Sequence, residues 1–517
     1  MSKNILKSSY VVIFMTMLSR ITGFIRELVF ASIFGASVSP NMDAFLVAYR
    51  IPNLARQLFA EGAFSQSFVP TLSEYHNQQN LQHTKTFINH IVGNLSIILF
   101  VITAISIIAA PLLIIIFAPG YIQDHSRLSL ATTMLRIISP YLLLISLTAC
   151  CSAILNSYDN FIVPAFTPVL LNLAMIAAAI FLAPYFSQPI IAAAWGVFIG
   201  GILQLASQLP FLKKINLLPK PQICWKDEGV RKVIKLMGPA IIGVSMAQLG
   251  FIIDLFFASF LRQGSIAWLN CSNRLTGFPL GVFGVAIATV ILPHLSRKHT
   301  SNSQLEYSAS MDWALRCILL IGLPSAIGIL MLSSPLLITF FEHGKFNTFD
   351  VIMTSRSLIA FAIGIPSFML VKVLAVGFYS KQNIKTPVKI ASIAIIANII
   401  CNCILIFPLA HAGLALATSI TSSLNAGCLW YILLKKKVYT PQSNWAKYLT
   451  QLGFASTAMA AFLWFTSSPL QKWTQWDSLE RIWHLGITIL LAGIIFLLCL
   501  FISGIRYKDF KPKTTTG

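Results

Sequence analysis

Asp43, Arg50, Gln57 and Glu61 are separated by 7, 7 and 4 residues within one long, largely apolar stretch. At 3.6 residues per turn this spacing puts them on one stripe of a helix. Arg20 and Arg26 stand around Gly23 in the apolar segment just before it. Arg274 stands in a later segment and is followed by Gly277, Pro279 and Gly281. A charge at mid-membrane costs about 2.5–3.5 kcal/mol even on the lenient insertion scale, so such groups face water, one another or an ionic ligand. Guanidinium groups grip phosphate in a bidentate fork. Arginines from several segments facing one wet cavity make a receptor for a polyanion. The competing readings are internal charge pairing along a structural groove and, for Arg26, snorkelling to a headgroup.

A second constellation is Asp254 with Asn398, Asn402 and Thr418, where Asn398 and Asn402 share one helical face. Asp254 could pair with an arginine, carry a proton or join these oxygens in holding a cation, but interhelical hydrogen bonding is the reading the residues favour. Asp312 and Arg316 form an i,i+4 pair, expected to be structural. No glycine-rich phosphate loop precedes a Lys-Ser/Thr pair, and no Ser or Cys has an evident catalytic partner, so no enzyme signature emerges.

These residues need elements that hold them inside an apolar medium. Of 517 residues, 56% are hydrophobic and only 10% charged, with mean hydropathy +0.77. Soluble domains carry about 25% charged residues, so the chain is read as an all-α integral membrane protein. The net charge of +21 does not point to nucleic acid. Its Lys and Arg gather in short loops, as cytoplasmic loops do. The nine cysteines have no zinc spacing, and neither disulfides nor a metal cluster are expected.

Spans of roughly 20 apolar residues fall at 8–35, 42–73, 86–117, 128–156, 162–185, 190–212, 231–261, 265–294, 309–341, 350–379, 386–408, 412–434, 444–467 and 482–505. That makes fourteen, with both termini cytoplasmic. The two halves repeat at an offset of 223 or 224: Phe68–Ser73 meets Ile291–Ser296, Pro111–Ile114 meets Pro335–Ile338, and Ser157, Asn160 and Pro164 meet Ser380, Asn383 and Pro387. Two pseudo-symmetric six-helix lobes follow, 1–212 and 231–436, joined by a basic cytoplasmic linker, 213–230. Residues 437–517 add two further helices and a tail. Two lobes around a central cationic cavity make a transporter plan that opens to each side in turn.

The run SRITGFIRE, then DAFLVAYRIPNLARQLFAEGAFSQSFVPTLSEY, resembles the MurJ (MviN) lipid II flippases of the multidrug/oligosaccharidyl-lipid/polysaccharide exporter superfamily. SNRLTGFPLGVFGVAIATVILPHLS and GFYSKQNIKTPVKIA extend the resemblance into the second half. It implies a bacterial inner-membrane protein that moves lipid II, the undecaprenyl diphosphate-linked peptidoglycan precursor, from the cytoplasmic to the periplasmic leaflet. The last two helices would form a groove for the lipid tail. By motif position, Arg20, Arg26 and Arg274 would contact the diphosphate. Asp43 and Arg56 would belong to the cavity and portal set, with Glu61 and Ser19 lining the same region. Asp254, Asn398, Asn402 and Thr418 resemble the sodium site of some relatives. No other cofactor is implied; without an ATPase signature, transport would draw on an ion gradient such as sodium, the membrane potential or the substrate's own concentration difference. The chain would act as a monomer among membrane lipids, with cell-wall synthesis proteins as candidate contacts.

Gln57 departs from the family where a second Arg is common after Arg56, and Asn273 and Gly277 where acidic residues occur in some members. A cation-coupled drug exporter would want an acidic, aromatic site instead of this arginine-rich one. A flippase for another polyprenyl-diphosphate oligosaccharide would share the same charge pattern. A non-transporting membrane scaffold would survive loss of Arg20 or Arg274.

Overall fold

The computed structural model describes residues 2–37, 41–57, 64–77, 81–300, 304–467 and 469–506. The described residues form helices and connecting turns. They include nine helical segments long and apolar enough to cross a membrane: Leu81–Ile108, His125–Ser157, Ile162–Tyr185, Ile191–Lys214, Ser265–Pro293, Gln304–Met331, Thr348–Tyr379, Lys385–Leu409 and Ser478–Ile502. In a bilayer each backbone N–H and C=O must be satisfied within its own segment, and helices do this. The chain divides into two compact units. One comprises Met1–Ala267 with Gly344–Phe346, the other Trp268–His343 with Asn347–Gly517.

The first unit holds α1 (Ser2–Phe34), α2 (Asn41–Ala55), α3 (Ser65–Asn77), α4 (Leu81–Ile108), α5 (Ala110–Phe117), α6 (His125–Ile138), α7 (Pro140–Ser157), α8 (Ile162–Ala177), α9 (Ile191–Lys214) and α10 (Glu228–Ala258). Prolines divide some of the expected spans. Pro111 stands in the first turn of α5 and Pro140 opens α7, positions where the missing N–H costs nothing. Phe64, Phe68, Leu72, Phe87, Ile91, Cys151, Ile154 and Leu212 build one core of this unit.

The connector after α9 lies along α4 as a strap. The Lys220 amide donates to Asn89 Oδ1 at 2.8 Å and the Gln222 amide to the Asn89 carbonyl at 3.1 Å. The Asn94 side chain both donates to the Cys224 carbonyl at 2.8 Å and accepts from its amide at 3.2 Å. Gly93 is required here, because a Cβ on it would lie 2.2 Å from the Gln222 carbonyl oxygen.

Helix α11 (Ser265–Pro279) begins in the first unit and continues into the second, which also holds α12 (Val285–Thr300), α13 (Gln304–Met331), α14 (Ser333–Phe341), α15 (Thr348–Tyr379), α16 (Lys385–Leu409), α17 (His411–Lys435), α18 (Trp445–Thr466), α19 (Leu470–Gln475) and α20 (Ser478–Ile502). Its core gathers Ile291, Leu295, Met311, Ile318, Ile365, Met369, Val373 and Leu433.

Turns recur between the two units. After α7, Asp159 takes φ 58° and the Asn160 amide bonds back to the Leu155 carbonyl at 2.9 Å. After α15, Gln382 takes φ 57° and the Asn383 amide bonds back to Phe378 at 3.0 Å. The turns after α9 and α17 also match, with Asn216 at φ 58° and Lys437 at φ 52°. Each is a left-handed helix stop that satisfies an orphan carbonyl.

Candidate functional site

Helix α1 carries two of the sequence-derived arginines, and they sit in different surroundings. Arg20 is exposed. Arg26, two turns on, is buried. Its guanidinium makes an ion pair with Glu27 at 2.5 Å. Nη1 also donates to Asn172 Oδ1 of α8 at 3.1 Å and approaches Met175 Sδ at 3.6 Å. Ser19 contributes its carbonyl, which accepts from Asn172 Nδ2 at 3.2 Å.

The polar stripe on α2 does not open to water at its first member. Asp43 is buried at 2% exposure. Oδ2 accepts the Gly264 amide at 2.7 Å, and Oδ1 accepts the Ala267 amide at 2.8 Å. Ala267 stands in the first turn of α11 and Gly264 immediately precedes it; the leading N–H groups of a helix have no partner within it. A carboxylate there also meets the positive end of the helix dipole. Asp43 therefore acts as the cap of α11 from a distant part of the chain. Gly264 has φ +94°, a conformation that side-chain-bearing residues rarely take.

Further along the stripe, the Arg50 guanidinium lies over the Phe251 ring, 4.6 Å from its centroid. Arg56 is half-buried and its Nε and Nη2 donate to Asn53 Oδ1 at 3.0 and 2.8 Å. Gln57 is half-buried. Glu61 lies outside the described residues.

Nearby in the same unit, the turn 119–124 joins α5 to α6. Burial pushes the Tyr121 hydroxyl well above the ordinary phenol value. Asp124 caps α6 through the amides of Ser126 and Arg127. Burial raises its carboxyl, but the Arg127 amide, the Arg127 side chain and its charge outweigh that and hold it below the usual carboxylate range.

In the second unit Arg274 is exposed on α11. The helix changes winding after Pro279, where Leu280–Gly284 form a π-helical turn before α12. Such turns are frequent at functional sites. Asn398 and Asn402 are buried on α16 and bond to each other at 3.1 Å, while Thr418 of α17 donates to its own helix at Leu414. Asp254, half-buried on α10, belongs to the first unit. No group of three or more His, Cys, Asp or Glu residues fit to hold a metal occurs among the described residues.

The Asp312–Arg316 pair, at 2.9 Å, is part of a larger hub. The buried Asp312 Oδ1 also accepts from the Tyr439 hydroxyl and Trp445 Nε1, each at 2.5 Å, and from the Gln442 amide at 3.3 Å. Burial and then the Asp312 carboxylate push the Tyr439 hydroxyl far above its ordinary value, so it stays a donor. Arg316 lies over the rings of Trp445 and Tyr448. This hub ties the α17–α18 connector to α13. At the other end of the C-terminal pair, Arg481 pairs with Glu342 at 3.2 Å.

The MurJ family profile, described as lipid II flippase MurJ, matches residues 30–484. The chain belongs to the MurJ lipid II flippase family. A MurJ relative from Haemophilus influenzae is 42% identical, across 96% of this chain and 100% of its own length. A lipid II flippase MurJ from Burkholderia cenocepacia is 40% identical, across 96% and 97%. Among solved structures, lipid II flippase MurJ in an inward closed conformation matches with TM-score 0.80 and 28% identity, covering 95% of this chain and 98% of that one. An inward-facing multidrug resistance MATE transporter of the MOP superfamily matches with TM-score 0.65 at 12% identity, covering 83% and 98%, a likeness of fold alone. MurJ proteins are transporters, so the charged residues above are read for binding and gating instead of bond chemistry.

Sequence reasoning missed two groups. Asn172 is the only amide in the run Val169–Met175, and a lone amide in an apolar span asks for an interhelical partner. Tyr439 and Trp445 gave no comparable signal, since aromatic residues are common at membrane boundaries.

Proposed function

We propose that this MurJ-family chain moves lipid II from the cytoplasmic to the periplasmic leaflet by alternating access, with Arg20, Arg26 and Arg274 holding the diphosphate. The observation that carries the reading is the family match along residues 30–484. The exposure of Arg20 and Arg274 supports their part in it. A diphosphate headgroup cannot cross hydrocarbon unaided, whereas its polyprenyl tail never has to leave it. Cationic side chains in a wet cavity meet the first demand. A lipid-facing groove formed by α18 and α20 meets the second.

In this reading there are fourteen spans, with both termini cytoplasmic. Two six-helix lobes, 1–212 and 231–436, flank the linker 213–230, and residues 437–517 form the groove and tail. The recurring turns after α7 and α15 support the repeat. Asp43 serves the transport cycle by holding the start of α11, and Arg56, Ser19 and Glu61 line the portal. Asp254, Asn398, Asn402 and Thr418 are the candidate sodium ligands.

The test is complementation of a strain depleted of its lipid II flippase. Arg20→Ala, Arg26→Ala and Arg274→Ala are each expected to abolish rescue while the protein still accumulates in the membrane at wild-type level. Full rescue by all three variants would defeat the diphosphate-binding role and favour a scaffold.

A further inference from the structure

Arg26 holds its charge among a set of partners in which Glu27 is an anion, while Asn172 and Met175 are neutral. Asn172 of α8 is buried, and its amide has a chemically determined orientation. Nδ2 donates to the Ser19 carbonyl and to Thr22 Oγ1, both at 3.2 Å. Thr22 Oγ1 donates in turn to the Leu18 carbonyl at 2.9 Å, which leaves its lone pair for Asn172. Reversing the amide would set an oxygen against a carbonyl and an NH2 group against a guanidinium. The only favourable arrangement aims Oδ1 at Arg26 Nη1, where it stands at 3.1 Å.

We propose that Asn172 is the positioning residue for the Arg26 guanidinium. It fixes the plane of the fork on α1 without adding negative charge. Glu27 already supplies one carboxylate to Arg26. A second anion at position 172 would over-neutralise the arginine and repel a phosphate, whereas an amide orients it and leaves the balance unchanged. The bland alternative is that Asn172 only glues α8 to α1, as polar residues in membrane helices commonly do. That role would not depend on Arg26. The proposal rests on the reading that Arg26 contributes to diphosphate binding.

The experiment measures lipid II affinity of the purified full-length protein in nanodiscs, with thermal unfolding of each variant recorded in parallel. Asn172→Ala is expected to weaken binding roughly tenfold, the scale of one hydrogen bond to a charged group. Asn172→Asp, which keeps an acceptor oxygen but adds charge, is expected to weaken it further. In an Arg26→Ala background, Asn172→Ala is expected to have no additional effect. Equal loss from Asn172→Ala with and without Arg26 would overturn the proposal, as would unchanged affinity alongside a lowered unfolding temperature. Thr22→Val removes one acceptor of the Asn172 amide without touching Arg26, and a smaller loss of affinity there supports the relay even if the Asn172 variants fold poorly. If Arg26→Ala itself left affinity unchanged, the diphosphate reading of Arg26 would fail first. If Arg26→Ala weakened binding and Asn172→Ala did not, only the positioning role would fail.

Discussion

Replacing Asp43 by Asn should loosen the start of α11 in a way that can be read at two amides. Each carboxylate oxygen accepts one N–H, Gly264 at 2.7 Å and Ala267 at 2.8 Å. An Asn side chain offers a single acceptor oxygen. The other position becomes an NH2 group facing an N–H. The substitution loses one charge-assisted bond and orphans one buried donor, each on the order of 1.5–3 kcal/mol, while relieving part of the cost of burying a charge. A net destabilisation of this turn by about 3 kcal/mol follows. At 1.4 kcal/mol per decade that is roughly a hundredfold rise in the local opening equilibrium. Hydrogen–deuterium exchange over 262–268, measured on the purified protein, should show that acceleration in Asp43→Asn and a larger one in Asp43→Ala. α11 also carries Arg274, so flipping should fall with it. Unchanged exchange at Gly264 and Ala267 in both variants would refute the capping role. Normal flipping by Asp43→Ala in a leaflet-resolved assay would remove the residue from the transport cycle.

Other outcomes follow from the same contacts. Asp312→Ala leaves Tyr439, Trp445 and Arg316 without their shared acceptor and should cost about 3–5 kcal/mol, the scale of a broken buried ion pair; limited proteolysis of 436–444 should accelerate. Tyr439→Phe removes a single donor and should cost no more than about 1.5–3 kcal/mol by the same assay. Gly93→Ala should dislodge the strap, because its Cβ would lie 2.2 Å from the Gln222 carbonyl oxygen; labelling of a reporter thiol at Cys224 should rise. Asp124 has its carboxyl held below the ordinary value, so its contribution to anchoring α6 is complete above that ordinary value, about pH 4, and is lost as pH falls through the depressed one. A stability profile between pH 6 and pH 2 should flatten in Asp124→Asn relative to the parent.

Membership of the MurJ family and the membrane-spanning, all-helical character were written in the chain itself. Hydropathy marks a helix that must satisfy its own backbone in lipid, and that requirement is local. The motif PNLARQLFAEGAFSQSFVP is equally local, and so is the Asp312–Arg316 pair, which neighbours on one helix face make inevitable. The proline, serine and asparagine matches between halves are read by laying the sequence on itself. The partners of the buried charges were not open to such reading. Asp43 meets amides 221 and 224 residues away, and Arg26 meets an amide 146 residues away. A helical stripe says which residues share a face, but not whether that face turns to water or to another helix. Only packing decided that Asp43 closes a helix end and that Arg26 meets a neutral oxygen of α8 beside the Glu27 carboxylate, because a buried polar group takes whichever partner the fold brings within hydrogen-bond reach.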